Sequence, residues 1–112
     1  MGNKIVYTAI FEKYFKRYSK KYRSLAVEIS ELEKLLLINP KLGTDIGEGI
    51  YKIRLAVKSK GKGKSGGFRV VTYLIVENND DFIINFIILY DKSEIDDITK
   101  KSLLEIVDSI FK

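Results

Sequence analysis

Lys52 and Arg54 stand two residues apart, Arg69 opens an apolar run, and Tyr90 and Lys92 close another. In an extended chain a spacing of two puts both side chains on one face of a strand. A guanidinium forks onto two phosphate oxygens, and an ammonium adds a point charge beside it. Such a set of Lys, Arg and Tyr suits one task above others. It binds a phosphodiester and stabilises the charge that develops when the phosphorus is attacked. The chain contains no His and no Cys. That removes the usual base near neutral pH, the thiol nucleophile, disulfides and zinc–thiolate sites. No metal and no cofactor are expected. Register decides whether these residues meet on one surface, and spacing alone does not fix it.

The stretch "GKGKSGGFR", Gly61 to Arg69, invites a second kind of chemistry. Gly63-Lys64-Ser65 looks like the end of a phosphate-binding loop. That pattern needs a glycine where Lys58 stands and a helix after the serine, whose amides hold the phosphate. Here Gly66-Gly67 and a β-branched run follow, so both tests fail. A linker is no better, because splitting the flanking strands leaves neither side a closed sheet. The stretch reads as the tip of a long hairpin. Lys58, Lys60, Lys62 and Lys64 then face water or an anionic partner. The tip from Lys58 to Gly67 is expected to be mobile, since it has no apolar anchor.

Charge is unevenly placed along the chain. The net formal charge is +5, yet from Lys52 to Arg69 there is no acid, and from Glu77 to Lys112 acids outnumber bases nine to four. This asymmetry marks a local cationic surface for nucleic acid or an acidic protein. With 112 residues and 46% hydrophobic content, one domain spanning 1–112 is expected, with a real core. The N-terminal MGNKIVYTAI lacks the apolar stretch of a signal peptide, and no segment is long and apolar enough to span a bilayer. A cytoplasmic location is expected.

The elements that must position the cations follow from periodicity. Ile5–Thr8 reads as a short strand. Phe11, Tyr14, Phe15 and Tyr18 recur at helical spacing and predict a helix over 9–18, its aromatic stripe in the core. Leu25, Ile29, Leu32 and Leu36 predict a second helix over 24–37, stopped at Asn39-Pro40. Gly43, Gly47 and Gly49 mark a loop. Tyr51–Val57 alternates apolar with basic residues and predicts a half-buried strand. Phe68–Val76 and Phe82–Tyr90 predict two more, joined by a polar turn at 78–81. The last of these is apolar on both faces, hence central. Ile98, Leu103, Leu104 and Val107 predict a closing helix capped by Asp97 or Thr99. The fold class is α+β, with helices packed on an antiparallel sheet.

Three segments together resemble a known family. They are Gly49-Ile50-Tyr51-Lys52-Ile53-Arg54-Leu55, Gly61 to Val70, and Leu89-Tyr90-Asp91-Lys92-Ser93-Glu94. They are similar to toxins of type II toxin–antitoxin modules in the RelE/ParE superfamily, HigB-like branch, and the resemblance covers nearly the whole chain. It implies an N-terminal strand and helical hairpin on a curved antiparallel sheet, with a C-terminal helix. It implies ribosome-dependent cleavage of mRNA by attack of the 2′-hydroxyl on the adjacent phosphate, and neutralisation by a cognate antitoxin. Carried across position by position, it gives Arg54 and Arg69 the scissile phosphate. Lys52 polarises the nucleophile or adds charge; as a base it needs neighbouring cations to depress its pKa. Lys92 serves the leaving group or the phosphate. Lys58, Lys60, Lys62 and Lys64 hold ribosomal RNA. RelE toxins carry a tyrosine in the C-terminal helix region, and none stands near Ile98 here. Either Tyr90 substitutes, or cleavage is slower, or the protein acts otherwise. The alternatives are a non-catalytic inhibitor of DNA gyrase, as on the ParE side of the superfamily, and a non-enzymatic RNA-binding domain.

Overall fold

The computed structural model describes residues 2–61, 67–78 and 80–112. The order is β1 (Lys4–Tyr7), α1 (Ala9–Lys21), α2 (Leu25–Ile38), β2 (Thr44–Gly47), β3 (Ile50–Leu55), β4 (Phe68–Glu77), β5 (Asp81–Asp91) and α3 (Lys100–Phe111). The strands form one sheet in the order β1-β5-β4-β3-β2. β2 to β5 pair antiparallel, as the short connections demand, and β1 joins the far edge parallel to β5. The helical hairpin covers one face with Phe11, Tyr18, Leu25, Ile29, Leu32 and Leu36. α3 covers part of the other with Leu103 and Val107. Among the described residues no helix is long and apolar enough to cross a membrane.

Element ends follow local chemistry. α1 runs to Lys21, beyond the expected stop at Tyr18. α2 ends at Ile38, and Asn39 leaves the helical region, as a residue before proline does. Thr99, not Asp97, caps α3, its hydroxyl accepting from the Ser102 amide, so Ile98 lies outside the helix. One element differs in kind. The glycine-marked loop contains β2, which forms a hairpin with β3 through a two-residue turn at Glu48-Gly49. Both turn residues have positive φ, 56° and 82°. That is the turn whose twist matches paired strands, and it usually announces itself as Asn-Gly or Asp-Gly. A glutamate in the first position hides it.

β5 carries one residue more than β4 can pair. Val71 faces Ile88 and Thr72 faces Phe86, which leaves Ile87 as a bulge. The bulge inverts the alternation. Ile84 and Phe86 pack under the helical hairpin, whereas Ile88 and Tyr90, of the same parity, pack under α3. This is why the strand reads as apolar on both faces. Thr8 holds the bulge from the side. Its hydroxyl lies 2.9 Å from the Phe86 carbonyl and 3.0 Å from the Ile87 carbonyl, and accepts from the Phe11 amide as the cap of α1. The Thr8 amide donates to the Phe86 carbonyl at 3.1 Å.

The root of the β3–β4 connection is tied down. Lys58–Lys60 forms a single 3-10 turn. The Lys58 amide donates to Glu28 Oε2 at 2.7 Å, and the Ser59 amide to Ser24 Oγ at 2.9 Å, both on the start of the α2 segment. Lys60 then turns inward. Its ammonium pairs with the buried Asp91 carboxylate, donates to Ser93 Oγ at 3.0 Å, and lies 5.4 Å from the Phe68 ring centre. The expected mobility therefore does not begin at Lys58. Lys62, Gly63, Lys64, Ser65 and Gly66 lie outside the described residues.

Two outcomes test these fixtures. Thr8→Val removes a cap and a bulge donor while keeping shape, so urea unfolding should show a loss of about 1–2 kcal/mol. Thr8→Ser should stay near the native value. Asp91→Asn leaves the Lys60 ammonium buried without its counter-charge and should cost about 3 kcal/mol or more at pH 7. Burial alone would raise the Asp91 carboxyl, but hydrogen bonds from Lys60 and Ser93 outweigh it and hold the pKa below the ordinary range. A lowered carboxyl contributes its stability above the unfolded pKa, about 4. The gap between wild type and Asp91→Asn should hold steady above that pH and close as pH falls below it.

Candidate phosphate site

The sheet register brings the expected cations together. Arg54 on β3 stands directly opposite Arg69 on β4, and Arg69 stands directly opposite Tyr90 on β5. Directly paired residues share a face, so these three form one row across the sheet. Lys52 lies two residues from Arg54 and shares that face, opposite Val71. The face is the one that α3 covers only in part. Lys52, Arg54, Arg69 and Lys92 line a cavity of about 260 Å³ there, joined by Thr44 and Asp97.

The two arginines differ in freedom. Arg69 is 9% exposed and donates to the Phe68 carbonyl at 3.2 Å. The Arg54 side chain is exposed, and it makes no hydrogen bond or ion pair with another described side chain. Like charges directly opposite on a sheet destabilise it.

The remaining groups are held by the connection between β5 and α3. Lys52 Nζ donates to Asp97 Oδ1 at 2.9 Å and to the Ile98 carbonyl at 2.8 Å. The buried Tyr90 donates its hydroxyl to the same Asp97 oxygen at 3.1 Å. Burial, then the bond to Asp97, pushes the Tyr90 phenol up to about 12. The Lys52 ammonium, together with Tyr90 and the Ile98 amide, holds the Asp97 carboxyl below its usual range. Lys92 points its ammonium at the Asp96 carbonyl, with the Asp96 carboxylate at 3.8 Å.

Every expected cavity residue is thus placed at or beside one pocket. The tip lysines divide. Lys58 is exposed. Lys60 does not face outward, because its ammonium is spent on Asp91 and Ser93. Lys62 and Lys64 lie outside the described residues. Tyr73 packs on Phe111 at 5.1 Å between ring centres. Sequence reasoning placed Asp97 only as a cap of the closing helix, and did not see Thr44. Neither position carries a local pattern that reveals its place in the cavity. Among the described residues no cluster of His, Cys, Asp or Glu is placed to hold a metal ion.

A second depression, of about 630 Å³, runs between α2 and β3 and shares Thr44, Lys52 and Arg54 with the basic cavity. Its floor is mostly apolar, with Leu32, Leu35, Leu42 and Leu55. The basic cavity is therefore the polar end of a longer furrow.

This arrangement can be set beside known proteins. The structure of a mutant of the E. coli toxin RelE in the free state, with two arginines changed to alanine, aligns with 99% of this chain and 100% of its own. The TM-score is 0.62 at 16% sequence identity, which speaks for the fold. The family model described as RelE toxin of the RelE / RelB toxin-antitoxin system matches residues 3–109. That span takes in the helical hairpin, all five strands and the cationic row, and on it the chain belongs to the RelE toxin family.

Proposed function

We propose that the protein is a HigB-like, ribosome-dependent endoribonuclease that cleaves mRNA in the cytoplasm and is neutralised by a cognate antitoxin. The observation that carries this reading is the Arg54–Arg69–Tyr90 row, with Lys52 and Lys92 around one cavity. The 2′ oxygen attacks the adjacent phosphorus, and the bond from phosphorus to O5′ breaks. One proton leaves the 2′-hydroxyl and one is taken up by O5′, so no co-reactant and no metal is required. Arg54 and Arg69 grip the non-bridging oxygens, where negative charge grows in the transition state. Lys52, on the same face, adds charge beside the nucleophile. Lys92 at the rim serves the departing oxygen. Tyr90 works through its bond to Asp97, since its ring is buried and its hydroxyl is directed there. Lys58, with Lys62 and Lys64, meets ribosomal RNA.

Induction in cells followed by mapping of mRNA 5′ ends tests the class. New ends within translated codons are expected. Growth arrest with intact mRNA and DNA damage would instead mean gyrase inhibition. The site has its own test. Arg54→Ala and Arg69→Ala should each lower the cleavage rate by about a hundredfold or more, the scale of losing one donor to a developing oxyanion. Arg54→Ala should do so with unchanged or slightly higher thermal stability, because it relieves a like-charge pair. Full toxicity in both variants would place the chemistry elsewhere.

A further inference from the structure

The cavity that should receive a phosphate already holds an anion of its own. Among the residues lining it, Asp97 is the acid, and its carboxylate sits on Lys52 at 2.9 Å. Lys52 is only 19% exposed at its side chain, whereas Asp97 is 59% exposed. The cation is fixed in the sheet, and the anion reaches in from outside. Asp97 belongs to the connection between β5 and α3, outside any helix or strand. Three donors converge on its Oδ1: the Lys52 ammonium, the Tyr90 hydroxyl and the Ile98 amide at 3.0 Å. A single anionic oxygen collecting several donors beside two arginines resembles the environment of a phosphate oxygen. Releasing Lys52 takes a side-chain rotation of an exposed aspartate, which gives up the Tyr90 and Ile98 bonds as well.

We propose that Asp97 is an internal stand-in for the RNA phosphate, which holds Lys52 in the free protein and must be displaced when a phosphodiester enters. The idea rests on the cavity being a phosphate site, as the proposed function requires, but not on cleavage. Arg54 offers the first contact, since it is exposed beside the cavity. The phosphate then takes Lys52 from Asp97, exchanging one charge-assisted bond for another. Asp97 thereby sets how strongly a phosphodiester must bind before the site is complete. Weak, unselected RNA leaves Lys52 paired. RNA held by further contacts, as on a ribosome, supplies the surplus. The same exchange frees the Tyr90 hydroxyl from its acceptor only when RNA is present.

The test uses the full-length toxin and a short fluorescent RNA with 2′-O-methyl riboses throughout, which cannot be cleaved by 2′ attack. Binding is read by fluorescence anisotropy at fixed salt. Asp97→Asn keeps an oxygen for Tyr90 and Ile98 but loses the charge, and should bind about five- to tenfold more tightly than wild type. Asp108→Asn removes the same charge from an exposed site on α3 and should change binding less than about twofold. In a Lys52→Ala background the Asp97→Asn gain should shrink to the Asp108→Asn value. An Asp97→Asn gain no larger than that of Asp108→Asn, or a loss, overturns the proposal. If Asp97→Asn does not fold, 13C spectra of the aspartate carboxyls in wild type decide. The Asp97 signal moves on saturation with RNA if it is displaced and stays if it is not. Cleavage of unmodified mRNA by wild type on ribosomes is scored separately. Tight Asp97→Asn binding without wild-type cleavage rejects the nuclease and keeps the displacement. Cleavage without the Asp97→Asn gain rejects the displacement alone.

Discussion

The extra residue of β5 at Ile87, pinned by the Thr8 hydroxyl, decides which side chains of that strand meet Arg69. Side chains alternate strictly along a strand, so a one-residue offset moves everything beyond it to the opposite face. Below the bulge, β5 gives Phe86 and Ile84 to the hairpin core; above it, the strand gives Ile88 and Tyr90 to the other side. Tyr90 closes the row of Arg54 and Arg69 because of that inversion. Thr8 makes it rigid by serving three purposes at once, as the end of the first extended segment, as the cap of α1 and as the donor to the bulge carbonyls. The chemistry of the sheet thus begins eight residues into the chain, far from the cations in sequence.

Opposed arginines are a cost that the core must absorb. The sheet buries apolar residues on both faces, with large groups such as Phe11, Phe68, Phe86 and Tyr18 fully enclosed. Burying each contributes about 2–3 kcal/mol. A cross-strand like-charge contact subtracts about 1 kcal/mol or less. The core therefore sustains a row that no folding argument requires. The charges are also sorted by depth. Lys60 is buried and neutralised by Asp91, Lys52 is held by Asp97 at the surface, and Arg54 stands outermost.

Much of this was legible in the residues. The alternation in Tyr51–Leu55 announces a strand with one basic face, and the structure turns Lys52 and Arg54 to that face. The break from helical to strand periodicity after Pro40 separates hairpin from sheet. Arg69 reads as an ordered strand residue because Val70 and Val71 follow it. What sequence hides has physical reasons. β2 is hidden because Glu48 takes a backbone conformation that glutamate rarely signals. The bulge is hidden because an apolar run such as FIINFIILY has no phase of its own. Lys60 looked like its neighbours because burial of a lysine depends on an aspartate 31 positions away. Asp97 looked like a cap because its partner across the cavity is set by how the connection folds back.

The register that aligns the cations also governs where the chain can change in length. One residue added within β4 between Arg69 and Thr72 would move Arg69 from Tyr90 to the position opposite Asp91, on the face of the helical-hairpin core and out of the row. The same residue added between Gly61 and Gly67 would leave every partner in the row unchanged, and closing a slightly longer loop costs little. Diversification in this architecture is therefore expected to act on the length and charge of the tip, while the row behind it varies only by substitution. A protein built this way can alter its tip without rebuilding the row behind it.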